Sequence, residues 1–170
     1  MTQAANKLQW CLTKAEKELK EGKKHRGLIR IKPDVSLAKA HIRKAEHYFQ
    51  ATEYLKKGKF SDISTSTVFY AMYHSLLAIV AKHGYESRNQ ECTFALMYAL
   101  AEEKKISLDP NLLQKIASLK VEEAQENESL QVRELYQYGT ALSLDNENIY
   151  KEQITLAEEV LGIAKEIIEQ

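Results

Sequence analysis

Apolar residues recur at helical spacing through most of the 170 positions. Leu8, Leu12, Ala15 and Leu19 lie three or four apart, so they share one side of a first helix. Gly22 follows, a residue type that tolerates the left-handed conformation of a C-terminal cap. Residues 23–34 carry Gly27 and Pro33, with Leu28, Ile29 and Ile31 between basic residues. They read as an ordered connector packing a few side chains on a helical body, or as a short arm toward a partner. A second helix over about 36–57 follows from the stripe Ala45, Tyr48, Phe49, Thr52 and Leu55. Lys56, Lys57 and Gly58 close it, placing cations at the negative end of the helix dipole.

Asp62 is a candidate N-cap for a third helix, in which Phe69, Met72, Tyr73, Leu76 and Val80 form one apolar face and Gly84 ends the run. Ser87-Arg-Asn-Gln90 has the form of a capping box, whose two ends can each satisfy an amide of the other, so a fourth helix is predicted there. Its residues 93–101 are apolar nearly all round, which predicts a central position or a second buried face at a subunit contact. Asp109-Pro110 predicts a fifth start, an N-cap followed by a proline whose missing amide is harmless at the first helical position. Polar residues 121–129 predict a break before a segment at 130–138, punctuated by Gly139. Leu156, Val160, Ile163 and Ile167 mark a last helix from about Glu147 to the C-terminus. No stretch alternates as a strand does, and no fixed-period repeat appears. The expected fold is all-α: one domain over 1–170, an antiparallel up-and-down bundle of about five to six helices.

The longest purely apolar run, 76–81, falls far short of the ~20 residues of a membrane span. The polar N-terminus lacks the features of a secretory signal, so a cytoplasmic location is expected and no membrane partner. Only Cys11 and Cys92 occur, without metal-type spacing, and they read as reduced, buried, small apolar residues. His41 and His47 are six apart, off a common helix face, so no metal site is implied. No cofactor is expected.

Charge balances at 24 basic and 24 acidic residues but is unevenly spread. Residues 14–44 hold eleven Lys/Arg against four Asp/Glu, and residues 121–170 hold twelve Asp/Glu against three Lys/Arg. This fits a polyanion-binding face, or basic and acidic helix sides paired within the bundle or between subunits. The balanced total favours the pairing.

Ser66-Thr-Val-Phe-Tyr-Ala-Met-Tyr-His74 resembles a helix of the HEPN superfamily, which commonly reads Ser-Arg-Ala-Tyr-Tyr-Ala-Met-Phe-His. Tyr70, Ala71, Met72 and His74 match directly, and Phe69 and Tyr73 keep the aromatic class. The stretch from His41 to Ala51 is similar to the family's preceding helix, residues 58–62 to its linker, and Val132-Arg-Glu-Leu-Tyr-Gln-Tyr138 to its later Arg and Asp-Tyr stretch. The resemblance implies a HEPN-like core over 36–138, with 1–34 as an added helix and connector and 147–170 as a C-terminal helix.

Many members are metal-independent ribonucleases that dimerise and bring an Arg and a His of one helix into a shared cleft. An Arg seven positions before the His lies two turns away on the same face. It can hold a phosphate while the His transfers a proton. Here that position is Thr67, and no Arg or Lys lies between Lys59 and His74. The resemblance therefore implies a homodimeric binding or regulatory module for RNA or a nucleotide, without the usual ribonuclease activity. A nucleotidyltransferase or other toxin-antitoxin component is its implied partner. The alternatives are a divergent ribonuclease using His74 with a relocated cation, and a purely structural interaction module. The candidate binding residues are His74, which is also the catalytic candidate, with Thr67, Tyr70, Arg88, Arg133 and Tyr138. Arg88 additionally stands beside a helix start, where a phosphate would be favoured.

Overall fold

The structure, a computed structural model, describes residues 2–119 and 147–170. Among them are six helices and a two-stranded ribbon: α1 (Gln3–Lys20), β1 (Leu28–Arg30), α2 (Val35–Lys57), α3 (Ser61–Lys82), β2 (Tyr85–Ser87), α4 (Gln90–Glu102), α5 (Pro110–Ser118) and α6 (Glu147–Glu169). The all-α expectation holds. The break at 121–129, the segment 130–138, Gly139, Arg133 and Tyr138 lie outside the described residues.

Three contacts make α2 and α3 antiparallel: the Asp34 amide donates to the Ala81 carbonyl, His41 faces His74, and Thr52 meets Thr67. Numbers rise along one helix as they fall along the other. Helix α6 lies on the same pair, with Lys56 on Glu147 at one end and Lys165 on Glu46 toward the other.

The core gathers Phe69, Met72, Leu76 and Ile79 of α3, Leu96 and Met97 of α4, and Leu113 and Ile116 of α5, all 0% exposed. Each such burial contributes about 1.5–3 kcal/mol. By length and composition α3 is apolar enough to cross a bilayer, but most of it is buried against its neighbours, as a core helix must be. Helix α4 is buried from Cys92 through Met97 and again at Ala99 and Leu100. Its all-round apolar character is thus explained by a central position within one chain.

The turn residues carry the chain between these elements. Gly22 and Gly84 adopt φ of +72° and +78°, conformations that disfavour a Cβ. Helix α2 starts at Val35, one residue ahead of expectation, and Asp34 caps it by accepting from the Leu37 amide at 2.8 Å, while Asp109 caps α5 ahead of Pro110. Two caps differ from expectation. Helix α3 starts at Ser61, so Asp62 lies inside its first turn, where its charge still meets the positive helix end. Asn89, not Ser87, caps α4 by accepting from the Cys92 amide at 3.0 Å, because Ser87 is the last residue of β2.

The ribbon itself was not expected. Its antiparallel pairs are Leu28 with Ser87, Ile29 with Glu86 and Arg30 with Tyr85. Three residues per strand are too few for alternation to register. The connector thereby packs on the bundle, and Gly27 permits it: a Cβ there would lie 2.8 Å from the Cys11 carbonyl.

Cys11 and Cys92 are not reduced. They form a disulfide between α1 and α4, with Cα atoms 5.7 Å apart and both residues 0% exposed. Burial was the correct part of that expectation; the pairing follows from α1 lying along α4, a register the sequence does not show. Leu19, assigned to the buried stripe of α1, is 48% exposed. Among the described residues, the cations of 14–44 with carboxylate partners do not reach the acidic C-terminal region: Lys23 pairs with Glu21 and Arg26 with Glu18.

Candidate functional site

The antiparallel register of α2 and α3 sets four side chains in a row at their seam. His41, Lys44 and Tyr48 fall at i, i+3 and i+7 of α2, hence on one face. Thr67, Tyr70 and His74 repeat that spacing on α3. The Nδ1 atoms of His41 and His74 are 3.0 Å apart. Tyr48 stacks on His74 with ring centres 5.5 Å apart and on Tyr70 at 5.4 Å. Lys44 Nζ stands 5.0 Å from the Tyr48 ring centre, close enough for a cation–π contact.

The two imidazoles constrain each other. A hydrogen bond between two Nδ1 atoms needs one proton between them. A neutral ring protonated at Nδ1 has a bare Nε2, and a ring bare at Nδ1 carries Nε2–H. Whichever ring donates, the pair presents one donor and one acceptor Nε2. Burial, then His41, then Lys44 push His74 from 6.5 down to about 4, and burial lowers His41 as well. Near neutral pH both rings are uncharged, and the seam's cation is Lys44.

Thr67 occupies the place of the missing Arg and is engaged elsewhere. Its hydroxyl lies 2.7 Å from that of Thr52 and 2.9 Å from the Ser64 carbonyl, while the Thr52 hydroxyl lies 2.9 Å from the Tyr48 carbonyl. Each hydroxyl has one proton. The chain runs from Thr52 through Thr67 to Ser64, or from Thr67 through Thr52 to Tyr48. In either direction the Thr67 proton is spent on joining or terminating the two helices.

The structure therefore brings together His74, Tyr70 and Thr67 of the expected residues. Arg88 is not with them. Its Nε pairs with Glu86 at 2.8 Å, just beyond β2, on the ribbon side of the molecule. His74 shares its hydrogen bond with His41 of the facing helix α2. Tyr73, by contrast, serves packing: its hydroxyl lies 3.1 Å from Thr93 of α4, and burial raises its pKa. Sequence reading missed His41, Lys44 and Tyr48 as site residues. Their common face on α2 was a usable signal, but only the register with α3 puts it opposite His74. Among the described residues no group of three or more His, Cys, Asp or Glu could hold a metal ion.

An all-helical bundle with histidines and stacked aromatics at the seam of two antiparallel core helices defines the class of protein. The family model for the HEPN domain matches residues 38–169, well over half of the chain, and the chain belongs to that family. Membership makes this an RNA-related or nuclease-like module. The matched span takes in α2 through α6 and leaves α1 and β1 outside it. No curated protein matches the chain.

Proposed function

We propose that the chain is a HEPN-type binding or regulatory module that engages single-stranded RNA through the α2–α3 seam, works as a homodimer in the cytoplasm, and lacks the usual ribonuclease activity. The observation that carries this is the row Tyr70–Tyr48–His74–His41 with Lys44 beside it. Stacked rings next to a cation form a platform that takes bases and phosphates with little sequence preference. Phe60, which precedes α3, and Ile63 and Tyr70 within it are 54%, 48% and 38% exposed. That exposed apolar surface supports a second copy of the chain as the neighbour that covers it.

The noncatalytic part rests on Thr67. A threonine held between Thr52 and Ser64 supplies no positive charge to a phosphorane, and His74 lies well below the neutral range in which an acid–base group works best. The wild-type chain should bind single-stranded RNA without cutting it, and His74→Ala should weaken binding. Robust wild-type cleavage that His74→Ala abolishes would overturn this reading.

One observation favours a second reading. Lys44 is close enough to depress His74, so a cation does accompany the histidine, from α2 instead of α3. A divergent ribonuclease would use Lys44 for the phosphate and the two Nε2 atoms as acid and base. Cleavage lost in both Lys44→Gln and His41→Ala would identify it.

A further inference from the structure

A second site lies on the opposite side of the ribbon from the core. The end of α1 and the turn after it form one wall of an open concavity of about 390 Å³, a volume suited to a small ligand, and the ribbon forms the other. Leu19 and Ile29 give it an apolar floor, while Lys23, Lys24 and Arg88 ring it with cations. Its single lining carboxylate, Glu86, is occupied inside the ribbon, 2.8 Å from Arg88 Nε and 3.2 Å from His25 Nε2. Arg88 thus keeps its two terminal nitrogens for another partner. Lys23 is paired with Glu21 at 2.8 Å, whereas Lys24 has no carboxylate within reach among the described residues.

The buried group here is His25. It lines the concavity at 4% exposure, and its Nδ1 has no hydrogen-bond partner. The walls are also held firmly. The Arg88 amide donates to the Gly27 carbonyl at 2.9 Å, the Arg26 amide donates to Glu18, and the Cys11–Cys92 disulfide ties α1 to the helix that follows β2. A site so fixed is organised before any ligand arrives.

We infer that this concavity binds a phosphate monoester carried on a small, partly apolar body of nucleotide size, with Lys24 and Arg88 on the phosphate and the body against Leu19 and Ile29. It is independent of the α2–α3 seam: it shares no residue with it, and six of its eight lining residues belong to the N-terminal addition outside the family span. A free nucleotide and the 5′ end of an RNA carry the same chemistry.

The test is calorimetric titration of the full chain with AMP, adenosine and a 5′-phosphorylated dinucleotide, in the wild type and in His74→Ala, which weakens the seam. AMP should bind both chains equally, adenosine at least tenfold more weakly. The double variant Lys24→Gln, Arg88→Gln, which changes only exposed side chains, should lose at least tenfold in AMP affinity with an unchanged melting temperature. Dinucleotide binding as tight as AMP assigns an RNA end; binding of AMP alone assigns a free nucleotide. The proposal is overturned if AMP fails to bind at millimolar concentration, binds no better than adenosine, is unaffected by the double variant, or is lost in His74→Ala.

Discussion

The Nδ1 atoms of His41 and His74 lie 3.0 Å apart across the seam of α2 and α3, so each ring fixes the tautomer of the other. Replacing His41 by Ala removes both that hydrogen bond and a neighbour that depresses His74. The His74 titration midpoint, followed by its imidazole proton shifts in NMR, should move up from about 4 toward 6.5. An unmoved midpoint would mean the pair is not coupled.

The same depression makes stability depend on pH. His74 titrates near 6.5 in the unfolded chain and at about 4 in the folded one, so between those values the unfolded state binds more protons. The His74 contribution is present above pH 6.5 and is lost as pH falls through 6 and 5 to about 4. At ~1.4 kcal/mol per pKa unit the ceiling is roughly 3 kcal/mol, and because His74 is half-buried solvent screening reduces it to on the order of 1–2 kcal/mol. Urea unfolding at pH 7.5 and 4.5 should show this loss in the wild type and a smaller one in His74→Gln.

Thr67→Arg tests the other half of the seam. Removing the Thr67 hydroxyl disrupts the chain through Thr52, which is 0% exposed, at a cost of about 1–2 kcal/mol in unfolding free energy. The new guanidinium lies on the His74 face two turns away and should add a phosphate contact. RNA affinity should rise and its salt dependence steepen by about one further counterion released. Cleavage appearing in this variant would show that the remaining groups of the seam are competent for the reaction.

Much of the fold was legible because helices announce themselves locally. Asp34, Gly58, Gly84 and Asp109-Pro110 punctuate the chain where the structure begins and ends helices. One misplaced cap sits in the ribbon, where a nonlocal pairing overrides a local motif: Ser87 is drawn into β2, leaving Asn89 to cap α4. The site was half legible. His74, Tyr70 and Thr67 are neighbours on one helix and could be read together, whereas His41, Lys44 and Tyr48 belong to the seam only through the pairing of α2 with α3. Cys11 and Cys92 are 81 residues apart, and nothing in their local sequence marks them as partners.

That disulfide gives the last prediction. It closes a long loop, and in the chain-entropy description a cross-link over 81 residues restricts the unfolded state by about 4 kcal/mol. It also fastens α1, which stands outside the family span, to α4 inside it. Reduction under mild denaturant, or the Cys11→Ser, Cys92→Ser pair, should therefore lower the urea midpoint of the whole chain. The remaining bundle has its own core in α3, α4, α5 and α6, so its helical circular dichroism should persist at low denaturant. The loss should be felt most at the wall built from Leu19 to His25. Amide hydrogen exchange should accelerate over residues 3–30 far more than over α3 on reduction. Equal acceleration in both would mean that α1 is integral to the bundle instead of a helix stapled to its side.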